Sequence, residues 1–194
     1  MFIELTDHLR CPQPHDEAFL VLLPDRMEGR RVAAGHLGCP ICGWNTAWQD
    51  GVPVFGEAIA SPADVGEPPF DAAAILALLG LEGPGGWVAL VGRVGVLGED
   101  LATLLPDVGI AAINPPDPVT PSERVSVLRS PAWPIKQHAL RGVVIGDDAA
   151  GWSAEALGSV LPGLRGTGEG APPDEAATHE LVSETSGLWL ARRR

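Results

Sequence analysis

Cys39-Pro40-Ile41-Cys42-Gly43 is the segment whose residue types and spacing point most directly to chemistry. Two thiols separated by two residues can grip one tetrahedral cation from a single tight turn. Gly43 offers the positive-φ residue that such a turn tends to need. A second pair of ligands must come from elsewhere. His8-Leu9-Arg10-Cys11-Pro12 and His36-Leu37-Gly38-Cys39-Pro40 share the pattern His-Leu-x-Cys-Pro, as two related knuckles of a zinc ribbon would. In the first knuckle the position matching Cys42 is Pro14, which cannot bind a metal. The next residue is His15, and an imidazole reaches further than a thiol. The expected site is therefore one structural zinc ion held by Cys11, His15, Cys39 and Cys42. His8 and His36 are the alternatives for the fourth place. Each precedes its cysteine by three residues and reads as a strand side chain flanking the site.

Three other readings compete. A redox Cys-x-x-Cys pair should open a helix in a thioredoxin-like unit, but Gly43-Trp44-Asn45-Thr46-Ala47-Trp48 reads as a strand. A catalytic zinc needs three protein ligands and an open position, which arises only if no histidine completes the set. The third reading is a structural role without metal.

The composition bounds the function. The chain has 194 residues, a formal net charge of −12 and a single lysine, Lys136. A surface that holds phosphates by bulk charge needs an excess of Lys and Arg, so non-specific nucleic-acid binding is not expected. Arg26, Arg30, Arg31 and the tail Arg192–Arg194 read as solvated surface. No stretch reaches the roughly 18 apolar residues that span a bilayer, so no membrane partner is expected. The first residues do not read as a signal peptide. Three cysteines make an odd count, which does not suit a disulfide framework and fits a reducing cytoplasm.

The elements that must position these residues fall into three segments. Residues 1–56 hold all three cysteines and read as the zinc ribbon. Residues 57–69, with three prolines and no periodicity, read as a linker. Residues 70–194 alternate helix-like and strand-like pieces. Phe70–Leu79 reads as a helix with Asp71 as N-cap. Trp87–Val91, Gly109–Ile113, Arg124–Leu128 and Leu140–Ile145 read as buried strands. Gly98–Leu105 and Ser153–Leu161 read as helices, the latter capped by Ser153. Leu188–Ala191 is a last strand. Such alternation implies an α/β domain with a doubly wound, mainly parallel, Rossmann-like sheet. Gly166-Thr167-Gly168-Glu169-Gly170 does not look like a strand, so the sheet is expected to be truncated there. His138 and His179 read as surface or loop histidines, Asp147 and Asp148 as capping acids of a loop, and the six tryptophans as core.

Leu-Arg-Cys-Pro at 9–12, Gly35-His36-Leu37-Gly38-Cys39-Pro40-Ile41-Cys42-Gly43 and Asp50-Gly51-Val52-Pro53-Val54-Phe55 resemble the zinc-ribbon module of some ribosomal RNA guanine methyltransferases. They are also similar to the small zinc-ribbon subunits that hold methyltransferases active. The departure is Pro14, where the family has a cysteine. Residues 70–194 resemble a class I S-adenosylmethionine methyltransferase in the order and spacing of their elements. The similarity runs through Val91-Gly92-Arg93-Val94-Gly95, Asn114, Ala132-Trp133-Pro134-Ile135 and Gly187-Leu188-Trp189-Leu190-Ala191-Arg192. The resemblance would put Gly92, Gly95 and Asn114 at the cofactor.

The polar contacts of that family are depleted here. Leu90 stands where it keeps an acid before the glycine turn. Asn114 replaces the carboxylate that would take both ribose hydroxyls, and Arg129-Ser130-Pro131 replaces an acid facing the adenine. The nicotinamide fingerprint fails as well, because Val94 and Leu97 occupy two of its glycine positions. Nor does an Asn/Asp-Pro-Pro-aromatic motif follow the fourth strand. The resulting expectation is a non-catalytic, pseudoenzyme-like scaffold that partners another protein, which the resemblance suggests is a methyltransferase. An active methyltransferase with unusual cofactor contacts is the alternative, and a zinc ribbon that reads RNA or DNA is a third.

Overall fold

The computed structural model describes residues 1–57, 66–174 and 178–194. Most of the linker expected at 57–69 therefore lies outside the described residues. The chain is a mixed α/β protein with one three-stranded and one seven-stranded sheet. The first residues form a 3-10 turn, Ile3–His8, followed by an antiparallel sheet of β1 (Val21–Glu28), β2 (Arg31–Gly38) and β3 (Asn45–Trp48), with β1 at one edge. Then come α1 (Ala72–Leu79), β4 (Trp87–Val91), α2 (Gly98–Leu104), β5 (Gly109–Ile113), β6 (Val125–Leu128) and β7 (Leu140–Ile145). Helix α3 (Ser153–Gly158) and strands β8 (Val160–Glu169), β9 (His179–Thr185) and β10 (Leu188–Arg193) complete the chain.

The large sheet has the order β6-β5-β4-β7-β8-β10-β9. Its first five members are parallel, β10 runs opposite to them beside β8, and β9 pairs antiparallel with β10 at the edge. The chain winds outward from β4 to β6, then crosses back to place β7 on the other flank of β4. This reversal is a topological switch point, and the crevice beyond the carboxyl ends of β4 and β7 is where such sheets take ligands.

Local chemistry accounts for most elements. Trp87–Val91 is wholly apolar and wholly buried, as a strand covered on both faces must be. Asp71 caps α1 by accepting from the Ala74 N–H at 2.8 Å, and Gly80 ends that helix in the left-handed region. Four of the six tryptophans, Trp48, Trp87, Trp133 and Trp189, are buried.

The sheet is not truncated. Residues 166–169 lie in β8, a ten-residue strand that pairs with both β7 and β10. Its glycines are needed for contact rather than for a turn. A Cβ on Gly166 would sit 2.6 Å from Leu157 Cδ2, and one on Gly168 would sit 2.6 Å from Trp189 Cζ2. Because β8 begins at Val160, α3 stops at Gly158 instead of running to Leu161. The sequence reading also missed β9, which makes His179 a buried strand residue rather than a surface one. Its Nε2 lies 3.0 Å from the Asp174 carbonyl.

A parallel sheet needs cover on both faces. Helices α1 and α2 pack on one face over Val88, Leu90, Ile110 and Val144. Among the described residues, the connections at 114–124 and 129–139 contain no helix that could cover the other face. The N-terminal segment takes that place beside α3. Met1, Leu5, Leu9, Leu37 and Phe55 share one buried cluster with Ala89, Ile113, Trp133 and Val143. Backbone bonds stitch the layers together. Arg10 N–H donates to the Pro134 carbonyl at 2.9 Å, and Lys136 N–H to His8 at 2.9 Å. Phe55 N–H donates to Arg129 at 2.7 Å and Arg129 N–H to Pro53 at 3.1 Å. No helix among the described residues is long and apolar enough to cross a membrane.

Candidate metal centre and the crevice of the sheet

Cys11 follows directly on the Leu9–Arg10 segment, which pairs with Pro134 and Ile135 in the connection between β6 and β7. Cys39 and Cys42 sit in the turn between β2 and β3. Cys39 N–H donates to the Trp44 carbonyl at 2.7 Å and Gly43 N–H to the Cys39 carbonyl at 3.0 Å. Gly43 closes this turn with φ of 74°. The ligand atoms of Cys11, His15, Cys39 and Cys42 all lie within 4.8 Å of one another, so the four can hold one metal ion. His8 and His36 are not in the cluster. The His8 ring packs against Trp87, with centroids 6.1 Å apart, and His36 Nε2 lies 3.0 Å from Asp25 Oδ2.

The spacing suits a tetrahedral ion. Metal–sulfur bonds of about 2.3 Å place two sulfurs about 3.8 Å apart, and a sulfur and an imidazole nitrogen about 3.6 Å apart. Cys11 Sγ and Cys42 Sγ are 3.7 Å apart, and Cys39 Sγ lies 3.4 Å from His15 Nε2. The other ring nitrogen, His15 Nδ1, lies 2.6 Å from the Asp16 carbonyl. A proton on Nδ1 leaves Nε2 free to ligate and fixes the ring, as metal-bound histidines require. That carbonyl is also the main cause holding the His15 pKa above its usual 6.5.

The thiols are unequal. Burial pushes Cys11 up to about 12. Burial also acts to raise Cys39, but the N–H groups of Cys42 and Ile41, with the neighbouring thiols, outweigh it and bring Cys39 down to about 6. Cys42 is exposed, and a cavity of about 310 Å³ lined by Arg10, Cys11, Gln13 and His15 opens beside the cluster. An ion therefore has a way in.

No family model matches this chain, and no curated protein matches it.

The crevice at the switch point contrasts with the metal centre. Gly92 follows β4 with φ of 70°, and Gly146 follows β7. Between them sits the carboxylate of Asp148, which accepts from the Arg93 N–H at 3.0 and 3.1 Å. A Cβ on either glycine would collide with that carboxylate. Asp148 is therefore more than a capping acid. The Arg93 guanidinium reaches Glu169 at the end of β8, with Nε to Oε1 at 3.0 Å, and lies 3.2 Å from Asp147 Oδ1. The buried Glu169 carboxylate is the largest cause holding the Arg93 pKa above its usual value.

The other expected cofactor contacts are engaged within the chain. Asn114 Nδ2 donates to the Ser130 carbonyl at 2.8 Å, and Ser130 N–H returns a bond to Asn114 Oδ1 at 2.8 Å. Both ends of the amide are thus engaged by one backbone unit. A Cβ on Gly95 would meet Pro115 Cβ at 2.6 Å, so this glycine serves close packing. Leu90 is fully buried against the helical layer. The role of Asp148 was hidden in the sequence because it arises across 55 positions.

Proposed function

We propose that the chain is a zinc-binding protein whose methyltransferase-like sheet domain is non-catalytic and serves as an interaction or regulatory scaffold for another protein. The observation that carries this reading is the self-occupied crevice. Asp148 fills the space between Gly92 and Gly146, Arg93 is tied to Glu169, and Asn114 is tied to Ser130. A cofactor entering there would have to displace these contacts, and the buried Glu169 carboxylate, if left unpaired, would cost about 1–3 kcal/mol. The zinc assignment is supported by the sulfur-rich donor set and its tetrahedral spacing. Four protein ligands leave no open position, so the ion is structural in this reading.

The test is a titration of the metal-loaded full chain with S-adenosylmethionine. No binding heat is expected at about 100 μM ligand, and no rise in melting temperature. Ligand at 100 times its dissociation constant would add about 2.7 kcal/mol of stability. A one-to-one isotherm with a dissociation constant below that concentration would overturn the scaffold reading in favour of an active methyltransferase.

A further inference from the structure

An antiparallel sheet with one face on the core usually presents a polar face to water. The small sheet does so only in part, with His36 and Asn45 on a face that also carries an aliphatic stripe. Along residues 19–23 the side chains alternate, with Leu20 and Leu22 turned inward and Phe19, Val21 and Leu23 exposed. Phe19 is 59% exposed and Leu23 63%. Directly opposite residues share a face, so Val21 stands beside Gly38 and Asn45, and Leu23 beside His36 and Ala47. The glycine and the alanine leave the aliphatic stripe unscreened. Ile41, at the tip of the Cys39–Cys42 turn, is 68% exposed. Of the ten exposed large apolar side chains among the described residues, six precede residue 42. The Phe19, Val21 and Leu23 stripe on one face, rather than single exposed apolar residues, marks an interaction surface.

We propose that the outer face of the small sheet, centred on Phe19, Val21 and Leu23, docks a protein segment that carries apolar residues with a basic rim. Charge decides against a second copy of the chain. Each copy carries −12, and the stripe is flanked by Asp16 and Glu17 at one end and at the other by Asp25, which contacts His36. Two such faces repel, whereas Lys or Arg beside the apolar contacts is attracted. Strand β1 is also an edge, open to an added extended segment along its first half. Past Pro24 a bulge and the ion-paired Arg26 and Glu28 blunt that edge. The metal turn carries Ile41 and the ligand segment leads into Phe19, so both lie next to the ligand cluster at the Val21–Gly38 end of the sheet. The inference rests on the scaffold reading for the occupant being a protein, and its readout is separate from the cofactor titration.

The probe is a fluorescein-labelled octapeptide of alternating Val and Lys, titrated by anisotropy into the metal-loaded full chain. The control is the alternating Val and Glu octapeptide. Saturable binding of the Val-Lys peptide is expected, weakening with added salt, together with no binding of the Val-Glu peptide. The Phe19→Ser/Leu23→Ser double variant should bind the Val-Lys peptide about tenfold more weakly. Unchanged metal content and melting temperature show that the variant is folded. Equal binding by wild type and variant overturns the proposal, as does equal binding of the two peptides. A wild-type dimer in sedimentation that the double variant lacks would assign the face to a second copy and overturn it too.

Discussion

Leu9→Ala tests whether the metal-bearing segment and the sheet are one folding unit. Leu9 is fully buried, sits two residues before the ligand Cys11, and bridges to Ile135 beyond β6. Deleting its three outer carbons leaves a cavity between the layers. Leu→Ala changes at such sites cost about 2–5 kcal/mol. For a chain of this size each kcal/mol moves the melting temperature by about 2–4 °C, so a fall of about 4–20 °C is expected. The assay is differential scanning calorimetry of metal-loaded protein, alongside metal release followed with a chromogenic chelator. Wild type and variant should each give one endotherm, with release of the ion at the same temperature. A split endotherm, with the larger component unmoved in the variant, would refute the shared core. It would mean that residues 1–56 fold as an appendage.

His15→Ala should weaken zinc retention against a competing chelator far more than His8→Ala, because only His15 lies in the ligand cluster. Gly168→Ala should cost about 1–3 kcal/mol, read as a lower denaturation midpoint, because the new methyl meets Trp189 inside the sheet. His8 supplies a pH dependence. Burial lowers its pKa from 6.5, against the opposing pull of Asp7. The unfolded chain then takes up a proton that the folded chain resists, so stability falls as pH drops through about 6.5. Melting curves of His8→Gln should show a shallower loss over that window than wild type.

The buried strands β4, β5 and β7 were legible residue for residue, because their largely apolar runs are five or six residues long, too short for a helix, and rich in Val and Ile. The cluster of Cys11, His15, Cys39 and Cys42 was legible from a repeated local pattern that needs no tertiary information. Strand β8 was not. Its glycines look like turn residues until Leu157 and Trp189, both remote in sequence, occupy the space above them. Strand β9 was hidden by its polar residues, since it lies at a sheet edge with one face in water. The internal bonds of the crevice were not legible for a similar reason. Asp148 and Asn114 were visible as residue types, but their partners Arg93 and Ser130 are brought to them only by the winding of the sheet.

The cover that residues 1–56 lay over the sheet has a consequence during synthesis. Phe2 and its partner Ser126 are 124 positions apart, so the segment made first must wait for most of the chain before its counterpart exists. Closing a loop of that length costs about 4 kcal/mol in chain entropy. Meanwhile Leu5, Leu9 and Leu37 lack the sheet side chains they pack on and are open to wrong contacts. All four ligand residues lie within the first 42 positions, so an ion can be captured while the rest is still unmade. An ion held there would brace the early segment until the sheet arrives beneath it.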